Sequence, residues 1–363
     1  MEELSIGQIC SRFSSGRNIT AANIHESGLY PVYGSNGLRG FTDSYNYDGE
    51  CAIVGRQGAY CGNVKYVSGK SYMSEHAIVA KTNPNHNNKY FAYKLSLAKL
   101  GRFSGQAAQP GLSVTKLLRL KFEMPSKQYQ DRIASILSAY DSLIENNTKR
   151  IRLLEKMAEN LYKEWFVRFR FPGYEKAEME NGLPKGWAVE KVKDWCRVFT
   201  GRKDVNQTVE GGRYAFFSCS PNTFHSDEYI YDGKAILIAG NGSYTGRTRY
   251  FEGKFDLYQR TYAVVVSDRS DDDFMFYLFL RFKYDFEPLH SGGTRGSAIP
   301  YIVMKDITKY KFLYDTDIVK CYTERVKPMF DEIDNLQHQN SLLARRRDLL
   351  LPRLMSGKLE VKP

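Results

Sequence analysis

Ile133, Leu137, Tyr140, Ile144, Asn147, Ile151, Leu154, Ala158, Leu161 and Trp165 follow one another at alternating spacings of four and three. Tyr322, Val326, Met329, Ile333, Leu336, Asn340, Leu343, Arg347, Leu350 and Leu354 repeat the pattern, each 189 residues after its counterpart. A heptad rhythm held over ten positions predicts two long helices that bury these seams as a coiled coil. At about 1.5 Å per residue each seam spans on the order of 50 Å, too long to lie inside an ordinary domain. The helices therefore read as spacers. Phe171-Pro172-Gly173 ends the first, since proline and glycine stop helices, and the acidic stretch up to Gly182 reads as a linker.

One asparagine interrupts each seam, at places that are not equivalent in the repeat. With the helices antiparallel and their ends flush, Ile133 faces Leu354 and Asn147 faces Asn340. Parallel pairing would set Asn147 against Leu336 and Asn340 against Ile151, leaving amides unpaired at about 1 to 3 kcal/mol each. The expectation is antiparallel packing with a buried Asn147–Asn340 amide pair. Arg347 then falls opposite Tyr140, its stem on the ring and its head reaching for water.

Outward from the helices, the chain is written twice. Tyr47-Asp48-Gly49 returns as Tyr231-Asp232-Gly233, and the same offset of 184 sets Gly58, Tyr60, Gly62, Tyr66 and Gly69 on Gly242, Tyr244, Gly246, Tyr250 and Gly253. Arg12-Phe13-Ser14-Ser15-Gly16-Arg17 answers Arg197-Val198-Phe199-Thr200-Gly201-Arg202 at an offset of 185. Each copy carries short β-rich runs, Ala52-Ile53-Val54 and Ala235-Ile236-Leu237-Ile238, and a helix near Tyr90 to Leu100 or Phe274 to Phe282. The predicted fold is α+β: two mixed α/β domains in pseudo-twofold repeat, separated by two long antiparallel coiled-coil helices. Its boundaries are a first domain over 1–125, a helix over 126–172, a linker over 173–182, a second domain over 183–315, and a helix with tail over 316–363. Gly-Ser/Ala-Tyr-x-Gly between strands reads as a turn in which glycine supplies positive φ.

A chain of 363 residues exceeds the size at which single cores stop growing, in line with this division. It is 42% hydrophobic and 26% charged, with no run near the roughly 18 apolar residues of a membrane span. Met1-Glu2-Glu3-Leu4-Ser5 lacks the basic start and apolar run of a secretion signal, so a cytoplasmic chain is expected. Cys10, Cys51, Cys61, Cys196, Cys219 and Cys321 lack C-x-x-C spacing, which fits reduced thiols. Net charge is +11, and residues 1–125 hold 14 basic against 8 acidic side chains, which points to a polyanionic partner.

The tools of catalysis are missing. Gly69-Lys70-Ser71 resembles the end of a P-loop, but the required earlier glycine falls at Val64 and its repeat partner is Gly253-Lys254-Phe255. Gly240-Asn241-Gly242 lacks the third glycine of a dinucleotide turn. Asn83-Pro84-Asn85 is the nearest approach to a methyltransferase N-P-P motif, Glu360-x-Lys362 lies in a tail, and the six histidines show no metal spacing. No catalytic residue and no metal ligand is assigned.

The string Ala158-Glu159-Asn160-Leu161-Tyr162-Lys163-Glu164-Trp165-Phe166-Val167-Arg168-Phe169-Arg170-Phe171-Pro172-Gly173, followed by Leu183-Pro184-Lys185-Gly186-Trp187, resembles the central region of specificity subunits of type I restriction-modification systems. Arg347-Asp348-Leu349-Leu350-Leu351-Pro352-Arg353-Leu354-Met355-Ser356-Gly357-Lys358 resembles their end. Gln130-Asp131-Arg132-Ile133 and Asp141 match the family's entrance to the first helix, although Tyr129 stands where a glutamate is usual and the second helix lacks the glutamine. The resemblance implies a non-catalytic reader of double-stranded DNA with two target-recognition domains, each addressing half of a split, asymmetric sequence. It implies helices that space the domains and dock two methyltransferase subunits, a translocating restriction subunit as a further partner, and no membrane. S-adenosylmethionine, used to methylate adenine, would be bound by the methyltransferase partners, with no cofactor in this chain.

Base reading needs bidentate donors and acceptors, arginine for guanine and Asn or Gln for adenine, while lysines hold phosphates. Glycine-rich tips present such groups: Arg56, Gln57, Tyr60, Asn63 and Lys65 in the first domain, and Asn241, Tyr244, Arg247 and Arg249 in the second. The approach loops add Arg17, Arg202 and Lys203, and late glycine loops add Gln106, Gln109, Thr294 and Arg295. The helix-pair seam is expected to be held by Ile144, Asn147, Ile151, Leu154, Leu161, Trp165, Ile333, Asn340, Leu343, Leu350 and Leu354. Two rival readings are a DNA-modifying enzyme in its own right, opposed by the missing motifs, and a coiled-coil scaffold that binds only proteins.

Overall fold

Ala52-Ile53-Val54 and Ile78-Val79-Ala80 are unbroken apolar runs because both faces of their strands are covered. Ala52, Val54, Ile78 and Ala80 face one core, and Ile53 and Val79 another. The computed structural model, which describes residues 2–105, 110–267, 274–287 and 301–361, builds both copies on this principle. It divides into two compact units, Met1–Thr148 with His338–Pro363, and Lys149–Gln337. Among the described residues no helix is long and apolar enough to cross a membrane.

The first unit runs β1 (Glu2–Ser5), α1 (Ile6–Ile9), β2 (Cys10–Ser15), β3 (Tyr30–Gly34), β4 (Gly37–Thr42), β5 (Cys51–Gly55), β6 (Val64–Val67), β7 (Tyr72–Met73), β8 (Ala77–Thr82), α2 (Asn88–Leu97), α3 (Val114–Leu118) and β9 (Lys121–Met124), then enters α4 (Lys127–Tyr162). One sheet has the order β2-β8-β5-β6 and a second the order β4-β3-β7, while β1 pairs with β9. Asn87 caps α2 by accepting from the Tyr90 amide at 2.8 Å.

The second unit repeats the plan. After β10 (Met179–Glu180) and β11 (Leu183–Pro184) come β12 (Ala188–Lys191), α5 (Val192–Trp195), β13 (Cys196–Thr200), β14 (Tyr214–Phe217), β15 (Thr223–Ser226), β16 (Tyr231–Ala239), β17 (Thr248–Leu257), β18 (Thr261–Val266), α6 (Met275–Phe286), α7 (Met304–Thr308), β19 (Lys311–Tyr314) and α8 (Thr316–Met355). Here β17 is unbroken where β6 and β7 are separate, so the strands join into one sheet, β13-β18-β16-β17-β14-β15. Its central strands split their side chains as in the first unit, Ile236, Ile238 and Val264 to one core and Ala235, Leu237 and Val265 to another.

Gly16 and Gly201, from the repeated approach segment, end β2 and β13 where the chain presses on a neighbouring backbone. A Cβ would lie 2.0 Å from the Met73 carbonyl oxygen at Gly16, and 1.7 Å from that of Leu257 at Gly201. Only glycine permits that approach.

The long helices pair antiparallel within each unit. In the first, Ile133 and Leu137 share a core with Leu354 and Met355. In the second, Ala158, Tyr162 and Trp165 share one with Tyr322, Val326 and Ile333, and the Tyr322 hydroxyl donates to the Ala158 carbonyl at 3.1 Å. Buried Gln130 fixes the start of α4: its Oε1 accepts from the Asn87 amide at 3.0 Å and its Nε2 donates to the Pro125 carbonyl at 2.8 Å. All the expected seam residues from Ile144 to Leu354 are buried or half-buried.

Two details of the seam differ from expectation. Asn147 and Asn340 do not bond to each other. Asn147 Nδ2 donates to Gln339 Oε1 and Asn340 Nδ2 to Thr148 Oγ1, each at 3.4 Å, so each amide turns to the residue beside its counterpart. Asn340 Oδ1 is buried with no hydrogen bond. Nor does Arg347 lie along Tyr140 with its head in water. Asp141, one residue further on, offers a carboxylate 2.6 Å from Arg347 Nη1, and a charged partner outcompetes a ring face.

Candidate nucleic-acid interface

In the first unit, loops from distant parts of the chain meet at one rim. The loop 56–63 closes on itself, since the Gly55 amide donates to the Asn63 carbonyl and the Gly62 amide to the Gly55 carbonyl, each at 2.8 Å. Gly58 and Gly62 supply φ of 79° and 87°, which the closure requires. The β3–β4 turn and the loop before β8 join through Ser35, whose Oγ donates to the His76 carbonyl at 2.9 Å and accepts from the Gln57 amide at 3.2 Å. The Arg56 amide also donates to the His76 carbonyl, and the Leu112 amide to the Arg56 carbonyl, each at 2.9 Å. The approach loop arrives when the Arg17 amide donates to the Met73 carbonyl at 2.9 Å.

The second unit repeats this circuit. The Ala239 amide donates to the Arg247 carbonyl at 2.9 Å and the Gly246 amide to the Ala239 carbonyl at 2.8 Å. The Gly240 amide donates to the Arg260 carbonyl at 2.9 Å, and the Ile302 amide to the Gly240 carbonyl at 2.8 Å. Cys219 takes the place of Ser35. Its Sγ lies 3.2 Å from Asn241 Oδ1 and 3.3 Å from the Arg260 carbonyl oxygen, so one thiol proton serves both acceptors in turn.

The structure sorts the residues singled out from the sequence. Arg17, Gln57, Tyr60, Asn63 and Lys65 are exposed along the first rim, with Lys65 Nζ 3.5 Å from the Asn36 carbonyl oxygen. Arg56 is half-buried and donates to Ser15 Oγ at 3.1 Å. In the second unit Arg202 and Tyr244 are exposed and Asn241 half-exposed. Gln106, Gln109, Thr294 and Arg295 lie outside the described residues.

Three candidates are instead tied into their own fold. Lys203, offered as a phosphate ligand, has its ammonium 2.8 Å from both Asp256 and Glu228 and 3.0 Å from Ser226 Oγ. Arg249 donates to the Pro221 carbonyl at 2.7 Å and Thr223 Oγ1 at 3.0 Å, with its guanidinium over the Phe217 ring. Burial, with Arg247 nearby, pulls its pKa down to about 10, so it stays charged at neutral pH. Arg247 donates to the Ser220 carbonyl at 3.1 Å. The two arginines, two residues apart and so on one side of the chain, brace the β14–β15 loop through its carbonyls, whereas Lys203 is held by carboxylates and a hydroxyl.

Ser35, His76, Cys219 and Arg260 also stand in these circuits, with no motif of their own in the sequence. The offset of 184 that matches the glycines also sets Ser35 on Cys219, Gln57 on Asn241 and His76 on Arg260. These pairs are not identical, so identity alone does not reveal them.

A cleft of about 770 Å³ in the second unit, between β17, α6 and the long helices, is a poorer place for a polyanion. Glu155, Glu159, Glu252, Glu287 and Asp334 line it against Arg247, Arg249 and Lys283. Burial, with Glu252 and Asp331 nearby, raises the carboxyl pKa of Asp334. A phosphate would meet like charge there, and the rims, with exposed Arg17 and Arg202, offer the opposite sign.

Comparison with known proteins agrees with this geometry. The family model described as the type I restriction modification DNA specificity domain matches residues 1–156 and 184–313, one copy in each half of the repeat. The specificity subunit of the Escherichia coli type I restriction enzyme EcoprrI is 38% identical over 160 residues, which cover 43% of this chain and 40% of that subunit, less than half of the relative's length. The MjaIX specificity subunit of Methanocaldococcus jannaschii is 28% identical over 300 residues, 75% of this chain and 69% of that one. The crystal structure of a type I restriction-modification S subunit from M. genitalium superposes over 97% of this chain and 95% of that chain, with a TM-score of 0.64 at 17% identity, a likeness of fold. Two matched domains, in a chain whose repeated rims are built by the same hydrogen bonds, make this protein a member of the type I restriction-modification specificity subunit family.

Proposed function

We propose that each rim reads one half of a split, asymmetric double-stranded DNA target, and that α4 and α8 space the rims and dock two methyltransferase subunits. The observation that carries the reading is that the two rims share a backbone circuit, and the pairs Arg17/Arg202 and Tyr60/Tyr244, but differ at other matched places: Gln57, Asn63 and His76 on one, where Asn241, Arg247 and Arg260 stand on the other. A common scaffold with different tips is what a two-part sequence requires, because phosphate contacts hold register while base edges are read by particular donors and acceptors. On this reading the chain is non-catalytic and cytoplasmic and binds no cofactor. The methyltransferase partners bind S-adenosylmethionine and methylate adenine, and a restriction subunit joins them for cleavage.

Exchange of residues 1–125 for the same region of another family member, followed by methylation-sensitive sequencing of host DNA, tests this. One half of the modified sequence should change and the other stay. Simultaneous change of both halves would refute independent reading, and turnover by the purified chain with Mg²⁺ or S-adenosylmethionine would refute the non-catalytic role.

A further inference from the structure

Ser35 and Cys219 each lock together segments that lie far apart in sequence. In the first unit the lock holds Gln57 beside the loop of His76, and in the second it holds Asn241 beside the loop of Arg260. Backbone bonds from Arg56 and Gly240 to the carbonyls of His76 and Arg260 complete each block, at 2.9 Å in both units. The relative placement of residues 57 and 76, and of 241 and 260, is therefore set before any ligand arrives. A phosphate contact needs charge but little rigidity, whereas reading a base edge needs donors fixed in register.

The two blocks differ where they meet solvent. Arg260 is exposed, and its side chain makes no hydrogen bond or ion pair among the described residues. The thiol occupies Asn241 Oδ1, which turns the amide donors of that side chain away from Cys219. The equivalent imidazole of His76 is held by Glu75, with Nε2 3.0 Å from Oε1.

From this geometry we infer that Arg260 reads a guanine in the second half-target, next to Asn241, and that Cys219 is the positioning residue holding the pair in register. His76 and Ser35 take the corresponding places in the first half. The inference rests on the DNA-reading function proposed above and assigns to it residues that the repeat's identical positions do not mark.

Selection of duplexes from a random-sequence pool by the full chain reports both halves of the target at once. For Arg260→Ala the first half should be unchanged. Discrimination at a guanine position of the second half should fall roughly five- to hundredfold, the range of a lost bidentate contact. Arg260→Lys, which keeps the charge but not the fork, should lose discrimination likewise. Cys219→Ala should blur the same position, and Cys219→Ser, which installs the donor found at Ser35, should restore it. Unchanged second-half preference in Arg260→Ala would overturn the inference. So would equal weakening on every sequence, the mark of a phosphate contact, and failure of serine to restore preference would overturn the positioning role. If the unmodified chain selects no sequence, the DNA-reading proposal itself falls, which separates the two failures. Arg260 is exposed and outside the core, so its variants test the assignment even if Cys219→Ala unfolds.

Discussion

Lys203→Met should destabilise the second unit while leaving DNA recognition nearly intact. Asp256 is 4% exposed, and its carboxylate accepts from the Leu257 amide at 2.9 Å, Ser226 Oγ at 3.0 Å and Lys203 Nζ at 2.8 Å. Removing one partner of a buried ion pair costs about 3 to 5 kcal/mol, because the remaining charge stays desolvated. Two neutral donors remain for Asp256, so the lower end, about 3 kcal/mol, is expected. The bridge to Glu228 adds little, since that glutamate is exposed and such pairs contribute at most about 1 kcal/mol. Lys203→Met with Asp256→Asn removes both charges, keeps an acceptor for Leu257, and should recover more than half of the loss. Trp165, Trp187 and Trp195 all lie in the second unit, so tryptophan fluorescence in urea follows that unit within the full chain. The hydrogen bonds from Lys203 to Asp256 and Glu228 raise its pKa above the ordinary 10.5. Its stabilisation is therefore complete below 10.5 and disappears only as pH rises through the higher folded value. An unchanged unfolding midpoint, with weaker DNA binding and a salt dependence reduced by about one phosphate, would make Lys203 a DNA ligand after all.

Asn340→Leu removes a buried acceptor that has no partner and one long hydrogen bond, so it should be neutral or stabilise by about 1 kcal/mol. Asn147→Leu should not match that gain, and a double-mutant cycle with coupling above about 1 kcal/mol would restore the direct amide pair. Arg347→Met leaves Asp141 half-buried with the Tyr93 hydroxyl as its remaining side-chain donor, and should cost about 1 to 2 kcal/mol in chemical denaturation. No change on substitution would place that bridge among the many that contribute nothing. Gly201→Ala should lower the second unit's stability, read by its fluorescence in urea, by at least about 2 kcal/mol, since a Cβ 1.7 Å from a carbonyl oxygen must move backbone. A wild-type midpoint would show that the approach segment is not pinned.

The fold was legible where one physical requirement dominates. The antiparallel direction expected from an Asn147–Asn340 pair is what the chain adopts, but the pair itself does not form, and the apolar seams of the two cores hold that direction. Contacts one residue apart were not legible, because neighbouring positions on a helix differ by about 100° and small shifts decide which is reached. Thr148 and Gln339 therefore take the amides, and Asp141 takes Arg347. The helix entrance is explained by packing: Gln130 satisfies an amide and a carbonyl at the junction with α2, a requirement invisible without the tertiary contact. Division of the strands between two cores was also hidden, since a run of apolar residues does not say which neighbour lies on which face.

The candidate site was legible as a place and not as a set of roles. Glycine spacing marked the tips, because the closed loops require φ of 82° at Gly242 and 87° at Gly246. Charge alone could not separate Arg202, which is exposed, from Lys203, which holds a buried carboxylate, although the two are adjacent. Only the pairing of strands brings Asp256 to that lysine. The four residues of the two locks were missed for a reason that belongs to repeats in general. Matching identical residues at a fixed offset finds mostly what both copies need in order to fold, such as glycines in turns and the Tyr47/Tyr231 pair against the cores. If the copies read different sequences, the side chains that read must differ between them, and identity fails there first. Ser35 and Cys219 are different residues in one role, each tying an amide-bearing loop to the carbonyl of the next. His76 and Arg260 then hold equivalent places with different chemistry, above the same backbone bonds from Arg56 and Gly240.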